Sequence, residues 1–158
     1  MTAETKFTLK RAVTRGDPLQ AVEFLAHHTG LSKARIKDAM NKGAFWLDRK
    51  GRGRDRLRRA TASLKVGDRV ELFYDPAILS MDLPRARCVK DFGHYSIWHK
   101  PPGLLTQGTD YGDHCSLLRQ TLYLADALRA ESSAAGRPAV EILDEAMQRF
   151  FRLQETGR

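Results

Sequence analysis

Apolar positions in the first half of the chain recur at helical spacing and then give way to short strand-like runs. Leu19, Val22 and Leu25, with Phe24 beside them, predict an amphipathic helix. Asp17 and Pro18 stand where an N-cap and a first helical residue belong, and Thr29-Gly30 ends the helix. Ser32 is a good cap for a second helix, in which Ala34, Ile36, Ala39 and Met40 are the apolar positions. Gly43 then lies where a left-handed residue closes a helix. Ala44 to Leu47 reads as a short strand, Asp48 to Arg59 as a Gly-Arg-rich loop or hairpin, and Arg69 to Tyr74 as a second strand after the turn Val66-Gly67-Asp68. Pro76 to Pro84 reads as a linker.

Past the linker the pattern changes. Tyr95-Ser96-Ile97-Trp98-His99 alternates like a strand and runs into the turn signal Lys100-Pro101-Pro102-Gly103. Gln107 to Asp113 is a polar, Gly-rich loop. Ser116 to Arg129 predicts an amphipathic helix, with Leu117, Leu118, Leu122, Ala125 and Leu128 on or near one face. Glu131 to Gly136 breaks it, and Pro138 to Glu155 predicts a last helix carrying Leu143, Met147, Phe150 and Phe151.

Charge sharpens the picture. The chain has a net charge of +8, and the stretch from Lys33 to Arg59 alone carries eleven Lys and Arg against three Asp. From residue 76 onward the charges balance. A basic footprint confined to one segment predicts a polyanion partner, most simply a nucleic-acid backbone. Ser32, Lys33, Arg35, Lys37 and Lys42 on the second helix, and Arg52, Arg54, Arg56, Arg58 and Arg59 in the following loop, are the candidate RNA contacts. Helix-borne cations face phosphates, the helix N-terminus adds its dipole, and Gly lets the loop follow a backbone. Arginine adds bidentate contacts and stacking on bases.

At 158 residues the chain fits one ordinary domain or two small ones, and 42% hydrophobic with 29% charged residues is a globular composition. No apolar run reaches the ~20 residues of a transmembrane helix, and Met1–Lys10 has no secretory h-region. Cys88 and Cys115 are in neither a CxxC nor a zinc spacing, which suits free thiols in a reducing, cytoplasmic setting. No metal or cofactor is expected, and the protein is expected to be a monomer. Adjacent His27-His28 suit a helix end better than a metal site, and His114-Cys115 suits a loop better than a nucleophile pair. Trp46 and Trp98 fall in strand-like runs and read as core residues rather than base-stacking platforms, and Phe45 or Trp46, if exposed, would stack a base.

Two short helices joined through Thr-Gly-Leu-Ser, then a Gly and a strand, resemble the alpha-L RNA-binding module of a small-subunit ribosomal protein and several RNA-modifying enzymes. The matching blocks are Ala21–Leu25, Leu31–Lys37, Lys42-Gly43-Ala44 and Leu64–Val70. Residues 86–119 resemble the opening of the catalytic domain of RluA-type pseudouridine synthases. There the Lys100-Pro101-Pro102-Gly103 turn follows a strand, and the Gln107–Leu118 loop continues the match. The resemblance implies an α+β fold: an alpha-L module at 15–75, a linker at 76–84, and at 85–158 the N-terminal part of a mixed, mainly antiparallel synthase-like sheet domain.

Members of that family isomerise uridine to pseudouridine in structured RNA, ribosomal RNA above all, without cofactor or metal, after the base leaves the stack. They use an Asp in a His-Arg-Leu-Asp segment. Here the one candidate is Asp144, in Val140-Glu141-Ile142-Leu143-Asp144, where Glu141-Ile142 replaces His-Arg. As part of a helix, Asp144 would instead sit on a wet face with Glu141, Glu145 and Gln148. The family's later pocket strands are not found by residue 158, so the expectation is a shortened catalytic fold without a complete active site. The alternative is a stand-alone, non-catalytic RNA-binding module.

Overall fold

The computed structural model describes residues 5–92, 95–132, 145 and 152. It divides into two compact units, one of Met1–Met81 with Thr109–Asp113, the other of Asp82–Gly108 with His114–Arg158. Both are mixed α and β, and their sheets are antiparallel.

In the first unit the elements are β1 (Phe7–Ala12), α1 (Ala21–Thr29), α2 (Lys33–Asn41), β2 (Phe45–Arg49), β3 (Gly53–Arg56), β4 (Arg69–Tyr74) and the single turn α3 (Pro76–Leu79). The strands form one antiparallel sheet in the order β1-β4-β2-β3. Side chains alternate between its faces. Val70 and Leu72 of β4, with Phe45 and Leu47 of β2, lie on the inner face and are buried with Phe24 and Leu25 of α1 and Ile36 and Met40 of α2. Full burial of each such large side chain stabilises by about 1.5–3 kcal/mol.

Local signals explain most of these elements. Ser32 caps α2, accepting from the Arg35 N–H at 3.4 Å, and Gly43 follows the helix at φ 86°. The hairpin reading of Asp48–Arg59 is realised as β2–β3, with Gly51 and Gly53 at positive φ in the turn.

Three features differ from the sequence expectation. Helix α1 starts at Ala21, behind Gln20, and Asp17 does not cap it. The Asp17 carboxylate accepts instead from Thr14 N–H at 2.7 Å, Thr14 Oγ1 at 2.8 Å and His28 Nε2 at 2.8 Å, because Thr14–Asp17 closes its own turn. Pro76–Leu79, the start of the expected linker, is helical: Asp75 accepts from the Ala77 and Ile78 N–H groups, and Leu79 joins the core. Strand β1 has no counterpart in the sequence expectation, because the alternating Phe7 and Leu9 are a brief signal and the partner β4 lies about sixty residues away.

In the second unit β5 (Arg87–Asp91) pairs with β6 (Ser96–His99) across a register shift between Cys88 and Lys90, and α4 spans Leu117–Ser132. Gln120 of α4 is fully buried, accepting from the Ala86 N–H at 3.0 Å and donating to the Pro84 carbonyl at 3.1 Å. Of the expected apolar face, Leu118 and Leu122 are about half exposed, and Leu124, outside that expectation, is buried. Among the described residues no helix is long and apolar enough to cross a membrane.

Candidate nucleic-acid interface

The basic segment runs through α2, β2, β3 and the chain just beyond, so the fold of the first unit decides which cations face solvent. On α2, Lys33 and Lys37 are one helical turn apart and exposed. Lys33 pairs with Glu23 of α1 at 2.6 Å. Arg35 is exposed beside Ser32, whose hydroxyl is committed to the cap. Lys42 is a structural cation. Its ammonium reaches both oxygens of Asp38, at 2.9 and 3.0 Å, and donates to the Leu79 carbonyl at 2.7 Å, tying α2 to α3.

At the far end of the β2–β3 hairpin, Arg49, Lys50 and Arg52 meet Lys65, Val66, Gly67 and Asp68 around a cleft of about 400 Å³. Buried Asp68 forms its floor, accepting from Arg49 Nε at 3.2 Å and from the Lys65 N–H at 2.9 Å. Lys50, Arg52 and Lys65 are exposed at the rim. Arg59, beyond the hairpin, is exposed and donates to Thr61 Oγ1 at 3.2 Å.

The remaining three arginines have a different setting. Register places Trp46 opposite Arg56 on β3 and opposite Glu71 on β4, so Trp46, Arg54, Arg56, Glu71 and Phe73 share the outer face of the sheet. Both guanidinium carbons, of Arg54 and Arg56, stand 4.0 Å from the Trp46 ring. Across this face lies a strap, Thr109–Asp113, folded on itself by reciprocal backbone bonds between Thr109 and Gly112. Its Asp110 accepts from Arg54 at 2.9 Å through the side chain and from Trp46 Nε1–H at 3.0 Å through the backbone. Arg56 donates to the Thr109 carbonyl at 2.6 Å and to the Gly43 carbonyl. Arg58 donates to Asp113 and, at 2.8 Å, to the Asn41 carbonyl. Tyr111 packs edge-on against Phe73 at 5.5 Å, with the Lys6 ammonium 4.1 Å over its ring.

Electrostatics follow the geometry. Burial draws the Arg56 guanidinium below its usual value, and the Asp113 charge opposes that shift. The hydrogen bond from Lys10 holds the Glu71 carboxyl below the ordinary carboxylate range, and the Arg54 charge adds to it. The ten expected contacts thus separate. Lys33, Arg35, Lys37, Arg52 and Arg59 face solvent, Lys42 and Ser32 serve the fold, and Arg54, Arg56 and Arg58 hold the strap. Lys50, counted in the basic segment, and Lys65 are not among the ten expected contacts, yet the fold exposes both at this rim; the turn Val66-Gly67-Asp68 fixes where Lys65 emerges.

In the second unit, the Lys100 ammonium donates to the Leu104 carbonyl at 2.8 Å within the Lys-Pro-Pro-Gly turn. His114 and Cys115 are both buried. Asp144 lies outside the described residues. Among the described residues no group of His, Cys, Asp and Glu is placed to hold a metal ion. No family model, no curated protein and no solved structure matches this chain.

Proposed function

We propose that this protein binds structured RNA, ribosomal RNA in the first instance, through the basic segment of its first unit, as a member of the RluA-type pseudouridine synthase family. The observation that carries the reading is the placement of the net charge: Lys37, Lys50, Arg52 and Lys65 are exposed on one small unit, while the chain from residue 76 onward is neutral. Each such cation that neutralises a phosphate releases a counterion, so affinity falls steeply with salt. The family part of the proposal is supported by the sequence blocks of the helix-turn-strand unit and by the Lys100–Gly103 turn that follows a strand.

Uridine isomerisation belongs to the family, and Asp144 is the residue that would carry it. With Glu141-Ile142 in place of His-Arg before it, the reading for this chain is RNA binding without a complete catalytic site. Two measurements on the purified chain test this. The first is binding of a ribosomal RNA fragment over a range of salt concentrations. The second is tritium release from 5-tritiated uridine in that RNA, compared with Asp144→Asn. Salt-sensitive binding without release is expected. Release that Asp144→Asn abolishes would make the chain a working synthase, and absence of binding at low salt would overturn the RNA reading.

A further inference from the structure

Arg54 and Arg56 alternate along β3, where about 3.4 Å per residue sets their α-carbons about 7 Å apart, and Arg58 follows two residues beyond the strand. That spacing is close to the interval between successive phosphates on a nucleic-acid strand. All three are already supplied with anionic or carbonyl oxygen by the strap: Asp110 on Arg54, the Thr109 carbonyl on Arg56, and Asp113 on Arg58 with a longer 3.6 Å approach to Arg56. A carboxylate and a phosphate make the same demand on a guanidinium fork, two oxygens in one plane.

The grip of the strap is uneven. Asp110 and Arg54 are 48% and 36% exposed, so their ion pair is worth little against water and salt. Asp113 is 16% exposed and holds more firmly. Beneath the strap lie Trp46, half-buried, and Phe73. Cations interleaved with aromatic rings suit single-stranded nucleic acid, whose phosphates take the cations and whose unpaired bases stack on the rings.

We propose that the outer face of the sheet, centred on Trp46 with Arg54 and Arg56 and continued by Arg58 just beyond β3, is a second RNA site for an unpaired strand. In this proposal the strap Thr109–Asp113 is the intramolecular competitor for the site. The inference rests on the RNA-binding reading and adds to it a site that is closed in this structure. RNA phosphates and the Asp110 and Asp113 carboxylates are alternative ligands of the same guanidinium groups, so strap and RNA exclude one another. Lys37 of α2 and Lys50 and Arg52 at the hairpin tip are exposed outside the strap and make the first contact.

The test uses the full chain carrying Trp98→Phe, which leaves Trp46 as its one tryptophan, and a short oligouridylate as probe. Asp110→Asn/Asp113→Asn removes the two charges of the strap while keeping side-chain shape, and leaves Glu71 on Arg54. Asp55→Asn/Asp82→Asn, at exposed positions outside the strap, with Asp55 on the sheet face opposite Arg54 and Arg56, is the charge-matched control. Expected are an affinity about tenfold or more above the control, a log–log salt slope steeper by about 2 for three added phosphate contacts, and quenching of Trp46 emission on binding. Asp110→Asn alone, at the more exposed end of the strap, should move the same way by less, which covers the case that the double variant misfolds. Equal affinity in the two double variants, or binding that leaves Trp46 emission unchanged, overturns the second site and leaves the RNA-binding reading intact. Absence of binding to oligouridylate and to ribosomal RNA alike, in every variant, overturns both.

Discussion

Arg58 bridges two segments far apart in sequence: its guanidinium donates to the Asp113 carboxylate of the strap and, at 2.8 Å, to the Asn41 carbonyl at the end of α2. One charged fork thereby satisfies a helix-end carbonyl that lacks an intrahelical partner and pins the strap. A residue that its neighbours in sequence assign to an RNA backbone also clamps two segments of the fold here.

Arg58→Ala should therefore destabilise the first unit by about 1–3 kcal/mol, the cost of removing charge-assisted hydrogen bonds from a partly buried site. Arg58→Lys should recover little, since an ammonium does not span both acceptors as a fork does. Urea unfolding midpoints of the two variants check this; a lysine variant as stable as the parent would contradict the clamp.

Gly43 is the tightest backbone position beside that clamp. Its φ of 86° is in the left-handed region, and a Cβ there would stand 2.6 Å from Asp113 Oδ1 and 2.9 Å from Arg58 Nη1. Gly43→Ala should cost about 1–2 kcal/mol from the backbone alone, with further loss as strap and arginine are pushed aside. Gly51→Ala, at φ 83° with open space around it, supplies the backbone cost without the clash. Thermal melts of the two variants should therefore differ, with Gly43→Ala the lower.

Asp17 is held at about 2, well below the usual carboxylate value, first by the Thr14 backbone N–H, then by the Thr14 hydroxyl and by His28. A depressed folded-state pKa means that the unfolded chain binds the proton more readily. The contribution is thus complete above the ordinary value near 3.8 and is lost as pH falls toward 2. Asp17→Asn should flatten the fall in urea midpoint across that acid window. An identical acid profile in variant and parent would mean that the turn does not persist in solution.

If the proposed RNA binding holds, salt dependence separates the exposed cations from those that serve the fold. Neutralising Lys37, Lys50, Arg52 and Lys65 together should lower the log–log slope of RNA affinity against salt by about 3, at roughly 0.7–0.9 per lost phosphate contact. Lys42→Met should leave that slope unchanged and lower stability instead, because the Lys42 ammonium ties Asp38 to the Leu79 carbonyl. A slope that drops with Lys42→Met and not with the fourfold variant would place the footprint elsewhere.

The sequence by itself determined the local elements and the location of charge. Helix α2 with its Ser32 cap and Gly43 stop, the β2–β3 hairpin and β4 follow from period, capping and turn chemistry, all short-range properties. Strand β1 escaped because six residues carry little pattern and the partner that makes them a strand is distant. Only the tertiary structure decided which cations are available. Lys37 and Arg54 carry the same charge in the sequence, but Arg54 meets Asp110 and Glu71, whereas Lys37 is exposed on α2. Charge is a property of a residue; its freedom to meet a phosphate depends on carboxylates that chain folding brings beside it, here from more than fifty residues away.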